Sequence, residues 1–129
     1  MKNHVEIAII ESDLFVSSDM VHTIHAVLPS AECRVFTSIS EARGASVQPA
    51  AHLLAIVSAT SDGDFVVSPD DARWLSERKV VAFDFRDRVA RSGWIYLDKP
   101  FSEEDLAAAV LALLPSGLSK LNGMTQEAR

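Results

Sequence analysis

Residues 53–57, Leu53-Leu54-Ala55-Ile56-Val57, carry no charge. A strand with nothing polar on either side needs cover on both faces, as in a parallel sheet with helices above and below. Comparable short runs recur at Val5-Glu6-Ile7-Ala8-Ile9-Ile10, Val80-Val81-Ala82-Phe83 and Trp94-Ile95-Tyr96-Leu97, with a weaker one at Arg34-Val35-Phe36. They are rich in β-branched and aromatic residues and read as strands.

Helical patterns fall between them. Met20, Val21, Ile24, Val27 and Leu28 lie on one helical face, and Pro29 stops it. Ser38-Ile39-Ser40-Glu41 has capping-box spacing ahead of a short helix that frays near Gly44. Ser68-Pro69-Asp70-Asp71 is a helix start, with Ser68 as N-cap, Pro69 in the first turn and two acids at the positive end. Trp74 and Leu75 form its apolar side. Ser102 caps a last helix whose buried face is Leu106, Val110, Leu113 and Leu114, ended by Pro115 and Gly117.

Alternating strands and helices predict an α/β domain with a five-stranded parallel sheet and helices on both faces, a three-layer α/β/α arrangement. The connection between the last two strands, Arg86 to Gly93, is short and polar and is the weak point of this alternation. Residues 1–115 read as the domain. Residues 116–129 have small and polar side chains with little periodicity and read as a flexible tail or linker stub.

Composition narrows the function. The chain has 129 residues, enough for one sizeable core, and 48% of them are apolar. A net charge of −6 argues against non-specific nucleic-acid binding. Cys33 is the only cysteine, which rules out an internal disulfide and a Cys-based zinc site. No apolar stretch reaches the roughly 20 residues of a membrane span, and the N-terminus is too polar for a signal peptide. A cytoplasmic protein is expected. His4, His22, His25 and His52 have no metal-ligand spacing, and there is no Gly-rich phosphate loop or Ser-His-Asp arrangement.

In sheets of this kind sites form beyond the carboxyl ends of the strands. Glu11, Ser12, Asp13, Ser58, Asp84 and Lys99 all fall there. At these positions the chain resembles the receiver domains of bacterial response regulators. The most specific stretch is Tyr96-Leu97-Asp98-Lys99-Pro100-Phe101-Ser102-Glu103-Glu104-Asp105-Leu106, similar to the family's last strand, its Lys-Pro-Phe and the start of its final helix. The likeness spans about residues 5–114. It implies a flavodoxin-like strand order 2-1-3-4-5, a cis Lys99–Pro100 bond, and a role in signal transduction through a two-component system or phosphorelay; the segment from Asp84 to Lys99 is shorter than usual for the family, which implies a fourth helix shortened or absent.

The family's chemistry uses paired acids that hold Mg²⁺, an Asp nucleophile after the third strand, a Thr or Ser after the fourth and a Lys after the fifth. By this resemblance Glu11 falls on the first acid, and Ser12 on the second with Asp13 one further on. Ser58 falls on the nucleophile, Asp84 on the Thr/Ser, Lys99 on the Lys, and Tyr96 on the aromatic switch residue. A serine cannot supply the labile acyl phosphate, and an acid at Asp84 would repel a phosphoryl group. The expectation is therefore a pseudo-receiver: a protein–protein interaction module that is not an enzyme, with no catalytic residue and no cofactor.

Several plainer or rival readings accompany this one. Lys99 is expected to pair with Asp84 or Glu11, because a partly buried ammonium needs a carboxylate. Glu11 and Asp13 are weak candidates for Mg²⁺. Asp62, Asp64 or Asp13 would be the acceptor in a working receiver with displaced geometry. The vacated phosphate pocket could instead take a small anion. Asp62-Gly63-Asp64 resembles part of a calcium loop but lacks the remaining ligands. Tyr96 marks a partner face and a possible homodimer through the last strand and last helix. Arg86, Arg88 and Arg91 read as a solvated loop, or as a docking patch for an acidic partner.

Overall fold

The computed structural model describes residues 5–45, 54–59, 68–86, 88 and 90–114. The chain runs β1 (Glu6–Ile10), α1 (Leu14–Val27), β2 (Glu32–Phe36), α2 (Ile39–Ala45), β3 (Leu54–Ser58), α3 (Pro69–Ser76), β4 (Lys79–Phe83), β5 (Trp94–Leu97) and α4 (Glu103–Leu113). The five strands form one sheet in the order β2-β1-β3-β4-β5, with every pair parallel. The fold class and strand order are as expected.

Strand side chains alternate between faces, so each strand feeds two cores. On one face Ile7, Ile9, Leu54, Ile56, Val81 and Phe83 pack under Met20 and Ile24 of α1 and Leu106, Ala109 and Val110 of α4. On the other, Ala8, Ile10, Ala55, Val57, Val80 and Ala82 meet Ile39 and Ala42 of α2 and Trp74 and Leu75 of α3. The second face is built of smaller residues: Ala8 stands opposite Ala55, and Val57 opposite Ala82.

The caps mostly follow the sequence reading. Ser68 Oγ accepts the Asp71 N–H and Ser102 Oγ accepts the Asp105 N–H. At α2, Ser38 Oγ accepts the Glu41 N–H, but Glu41 reaches back to the N–H of Thr37 rather than that of Ser38. The helix ends at Ala45, next to Gly44, as expected.

Among the described residues there is no helix between β4 and β5. Ten residues, 84–93, separate the two strands, and extended chain of that length spans up to roughly 33 Å, ample to return along a short strand. Phe85 substitutes for the missing helix. Its ring meets Trp94 and Tyr96 edge-on, with centroids 6.2 and 6.1 Å away. The return ends at Gly93, whose φ of 80° favours glycine; the Lys79 side chain lies over it. Residues 115–129, with the expected tail, lie outside the described residues.

Candidate functional site

The carboxyl ends of β1, β3, β4 and β5 bring Glu11, Ser58, Asp84 and Lys99 to one end of the sheet. Glu11 follows the last residue of β1 and is 5% exposed. Its backbone N–H still donates to Phe36 O, which holds it in the sheet's hydrogen-bonding line. Ser58 ends β3. Lys99 follows β5 by two residues, just before a cis Lys99–Pro100 bond.

Two donors converge on one oxygen. Lys99 Nζ is 2.5 Å from Glu11 Oε1, and Ser58 Oγ donates to the same atom at 2.6 Å. The other carboxylate oxygen, Oε2, accepts the Asp13 N–H at 2.9 Å. Burial pushes the Glu11 carboxyl up, but the hydrogen bonds from Lys99, Ser58 and the Asp13 N–H, with the Lys99 charge, outweigh it and hold the group below its usual 4.5. Glu11 is therefore an ionised carboxylate that accepts three hydrogen bonds, one of them from the Lys99 ammonium.

Of the two partners open to Lys99, the ammonium takes Glu11. Asp84 instead accepts the backbone N–H of Lys99 through Oδ1 at 2.9 Å. It adopts φ 63°, a left-handed conformation that short polar side chains tolerate best. The Asp84 carboxylate thus fastens the loop after β5 to the loop after β4.

Asp13 has a role the sequence reading missed. It is the N-cap of α1, and its Oδ1 accepts the N–H groups of Phe15 and Val16. Ser12 is exposed beside it. These engagements leave a donor set that does not suit Mg²⁺, which needs hard oxygens free to converge. Among the described residues no group of three His, Cys, Asp or Glu side chains could hold a metal ion. The arrangement is an ion pair of Glu11 and Lys99 joined by the Ser58 hydroxyl.

Tyr96 lies half-buried on β5 beside Trp94 and Phe85. Arg86, Arg88 and Arg91 are exposed; Arg88 pairs with Asp98, and the Arg91 guanidinium lies 4.8 Å from the Trp94 ring centre. His22 and His25 are exposed on α1, where His25 Nε2 contacts the carbonyl of Ala31. His4, His52, Asp62 and Asp64 lie outside the described residues. No helix among those described is long and apolar enough to cross a membrane.

No protein-family model matches the chain, and no curated protein does. Solved structures do. A response regulator receiver domain protein from Bacillus halodurans C-125 is similar over 88% of this chain and 99% of its own, with a TM-score of 0.66 and 21% identity. SdrG from Sphingomonas melonis Fr1 is similar over 89% of this chain and all of its own, with a TM-score of 0.62 and 20% identity. A response regulator receiver protein from Sinorhizobium medicae WSM419 is similar over 86% and 94%, with a TM-score of 0.62 and 17% identity. At these identities the likeness is one of architecture: the chain has a receiver-like fold.

Proposed function

We propose that this chain is a pseudo-receiver, a signalling domain that binds protein partners through a fixed surface, without aspartate phosphorylation and without catalysis of its own. The observation that carries this reading is the convergence of Lys99 Nζ and Ser58 Oγ on Glu11 Oε1. In a phosphoryl-transfer site, the lysine must be available to the incoming group and a carboxylate must stand ready as nucleophile. Here the lysine is spent on an internal carboxylate, and the residue at the end of β3 is a serine. Its neighbour Glu11 is a weak base, because the same contacts that hold it also lower its proton affinity.

The geometry also disfavours the rivals. An anion entering beside Lys99 would meet the ionised Glu11. Asp13, as a displaced acceptor, would have to leave the cap of α1. Partner binding is assigned to the surface around Tyr96, with a homodimer through β5 and α4 as one form of it. Incubation with acetyl phosphate and Mg²⁺, followed by intact-mass analysis, tests the reading. The expected result is an unmodified chain; a phosphoryl adduct removed by hydroxylamine, the behaviour of an acyl phosphate, would overturn it.

A further inference from the structure

β2 forms one border of the sheet. β1 lies on one side of it, and among the described residues no strand lies on the other. The ladder to β1 opens with the Glu32 N–H on the Val5 carbonyl and closes with the Glu11 N–H on the Phe36 carbonyl. Backbone groups alternate sides along a strand. Glu32, Arg34 and Phe36 therefore bond β1, and Cys33 and Val35 aim their N–H and C=O groups outward. The side chains are open as well: Glu32, Arg34 and Val35 are exposed, Val35 at 40%, and Cys33 is half-buried. Such a border is a template for one more strand.

Charge and register select the occupant. Charges on a border strand ordinarily keep other strands away. Here their spacing makes β2 complementary to itself. Two antiparallel copies related by a two-fold axis can place Cys33, Arg34 or Val35 at the centre. With Arg34 central, the two guanidiniums face each other, which is unfavourable. With Val35 central, Glu32 falls opposite Ser38, beyond the strand. With Cys33 central, each Glu32 stands opposite the other copy's Arg34, and two ion pairs form at once. That register also sets outward backbone against outward backbone, so the two Cys33 residues exchange N–H···O bonds. Glu32 has a further interaction within its own chain, and the Arg34 guanidinium lies over the Phe36 ring, 5.6 Å from its centre. A carboxylate and a guanidinium each have room for a second partner. We infer that β2 pairs with β2 of a second copy, antiparallel and centred on Cys33, which joins two five-stranded sheets into one. The ladder is short, because the Ala31 N–H is already given to the Leu28 carbonyl, so the dimer is weak and reversible. This border lies across the sheet from β5. The inference does not depend on the pseudo-receiver reading, and it leaves the surface around Tyr96 to a different partner.

Sedimentation velocity over a concentration series tests it. The wild type is expected to pass from monomer toward dimer as concentration rises. Glu32→Arg alone and Arg34→Glu alone put like charges opposite one another, and each should weaken the dimer about 10-fold or more. An equimolar mixture of the two variants should regain it, because the register then sets two arginines of one chain against two glutamates of the other. Both positions are exposed, so thermal unfolding of the dilute variants should match the wild type. The Cys33 amide should exchange with deuterium more slowly at high concentration than at low. A chain that stays monomeric up to millimolar concentration would overturn the proposal. So would a mixture that associates no more tightly than its components, or a dimer that ignores both substitutions. A dimer lost on Tyr96→Ala and unmoved by changes in β2 would place the contact at β5 instead.

Discussion

Lys99→Met is expected to destabilise the protein by about 2–4 kcal/mol at neutral pH, because it strands a buried charge. The Glu11 side chain is 4% exposed, whereas that of Lys99 is 25% exposed. Removing Lys99 leaves the carboxylate with only the Ser58 hydroxyl and the Asp13 N–H. Removing the Glu11 charge instead leaves an ammonium that can turn to water, so Glu11→Gln should cost about 1 kcal/mol. Combining the two changes should recover much of the Lys99→Met loss, since no uncompensated charge remains.

The pH dependence follows the same logic. In the wild type, Glu11 is held below 4.5 in the folded state. Its contribution is fully present above the unfolded value and is lost as pH falls through the lower folded value. In Lys99→Met the hydrogen bond and charge of Lys99 no longer oppose burial, so the folded value rises from its wild-type position. That variant loses less stability on acidification than the wild type, so the gap between them narrows. Urea midpoints at neutral and mildly acidic pH measure it; a gap independent of pH would mean Glu11 is not the group exposed by the substitution.

Phe83→Ala is expected to have the largest effect, about 3–5 kcal/mol against a total of about 5–15 for a domain of this size. Phe83 is fully buried at the end of β4, in contact with the Phe101 ring. Its carbonyl accepts the Ala59 N–H, so the same residue ties the ends of β3 and β4 together. The cavity would open directly beneath the site. Phe83→Leu, which keeps most of the volume, should remain folded at a cost of about 1–1.5 kcal/mol. Phe85→Ala, at a half-buried residue that shields Trp94 and Tyr96, should cost less than Phe83→Ala. Urea denaturation monitored by circular dichroism ranks the three, and a larger loss at Phe85 than at Phe83 would contradict the packing described.

Strands β1, β3 and β4 were legible because each is a short, mostly buried apolar run, whereas the largely exposed edge strand β2 read as the weakest; the starts of α3 and α4 were legible because Ser68 and Ser102 announce them. The start of α1 was hidden. Its inward face starts with Val16, but Leu14 and Phe15 before it face outward, and Ser17 and Thr23 are buried polar residues that break the pattern up to Met20. Asp13 therefore read as a weak metal candidate or displaced acceptor and not as a cap. An N-cap Asp directly before a helix is a signal that could have been found. Phe85 was missed for a related reason: one aromatic within a polar stretch gives no periodicity, and its role depends on where the return chain crosses β5.

At the site, the sequence identified Glu11, Ser58, Asp84 and Lys99 through their place after successive strands. It left the pairing open because side-chain direction decides it. Asp84 and Glu11 are both carboxylates near Lys99, and only the left-handed backbone at Asp84 sends its oxygen to the Lys99 N–H and leaves the ammonium to Glu11.

The most direct test of the closed Glu11–Ser58–Lys99 site is amide NMR during titration with Mg²⁺ and then beryllofluoride, a phosphoryl mimic. The predicted result is that the amides of Glu11, Ser58, Asp84 and Lys99 stay in place throughout. A concerted, saturable shift of these amides would contradict it, showing that the ion pair opens to a metal and a phosphoryl group.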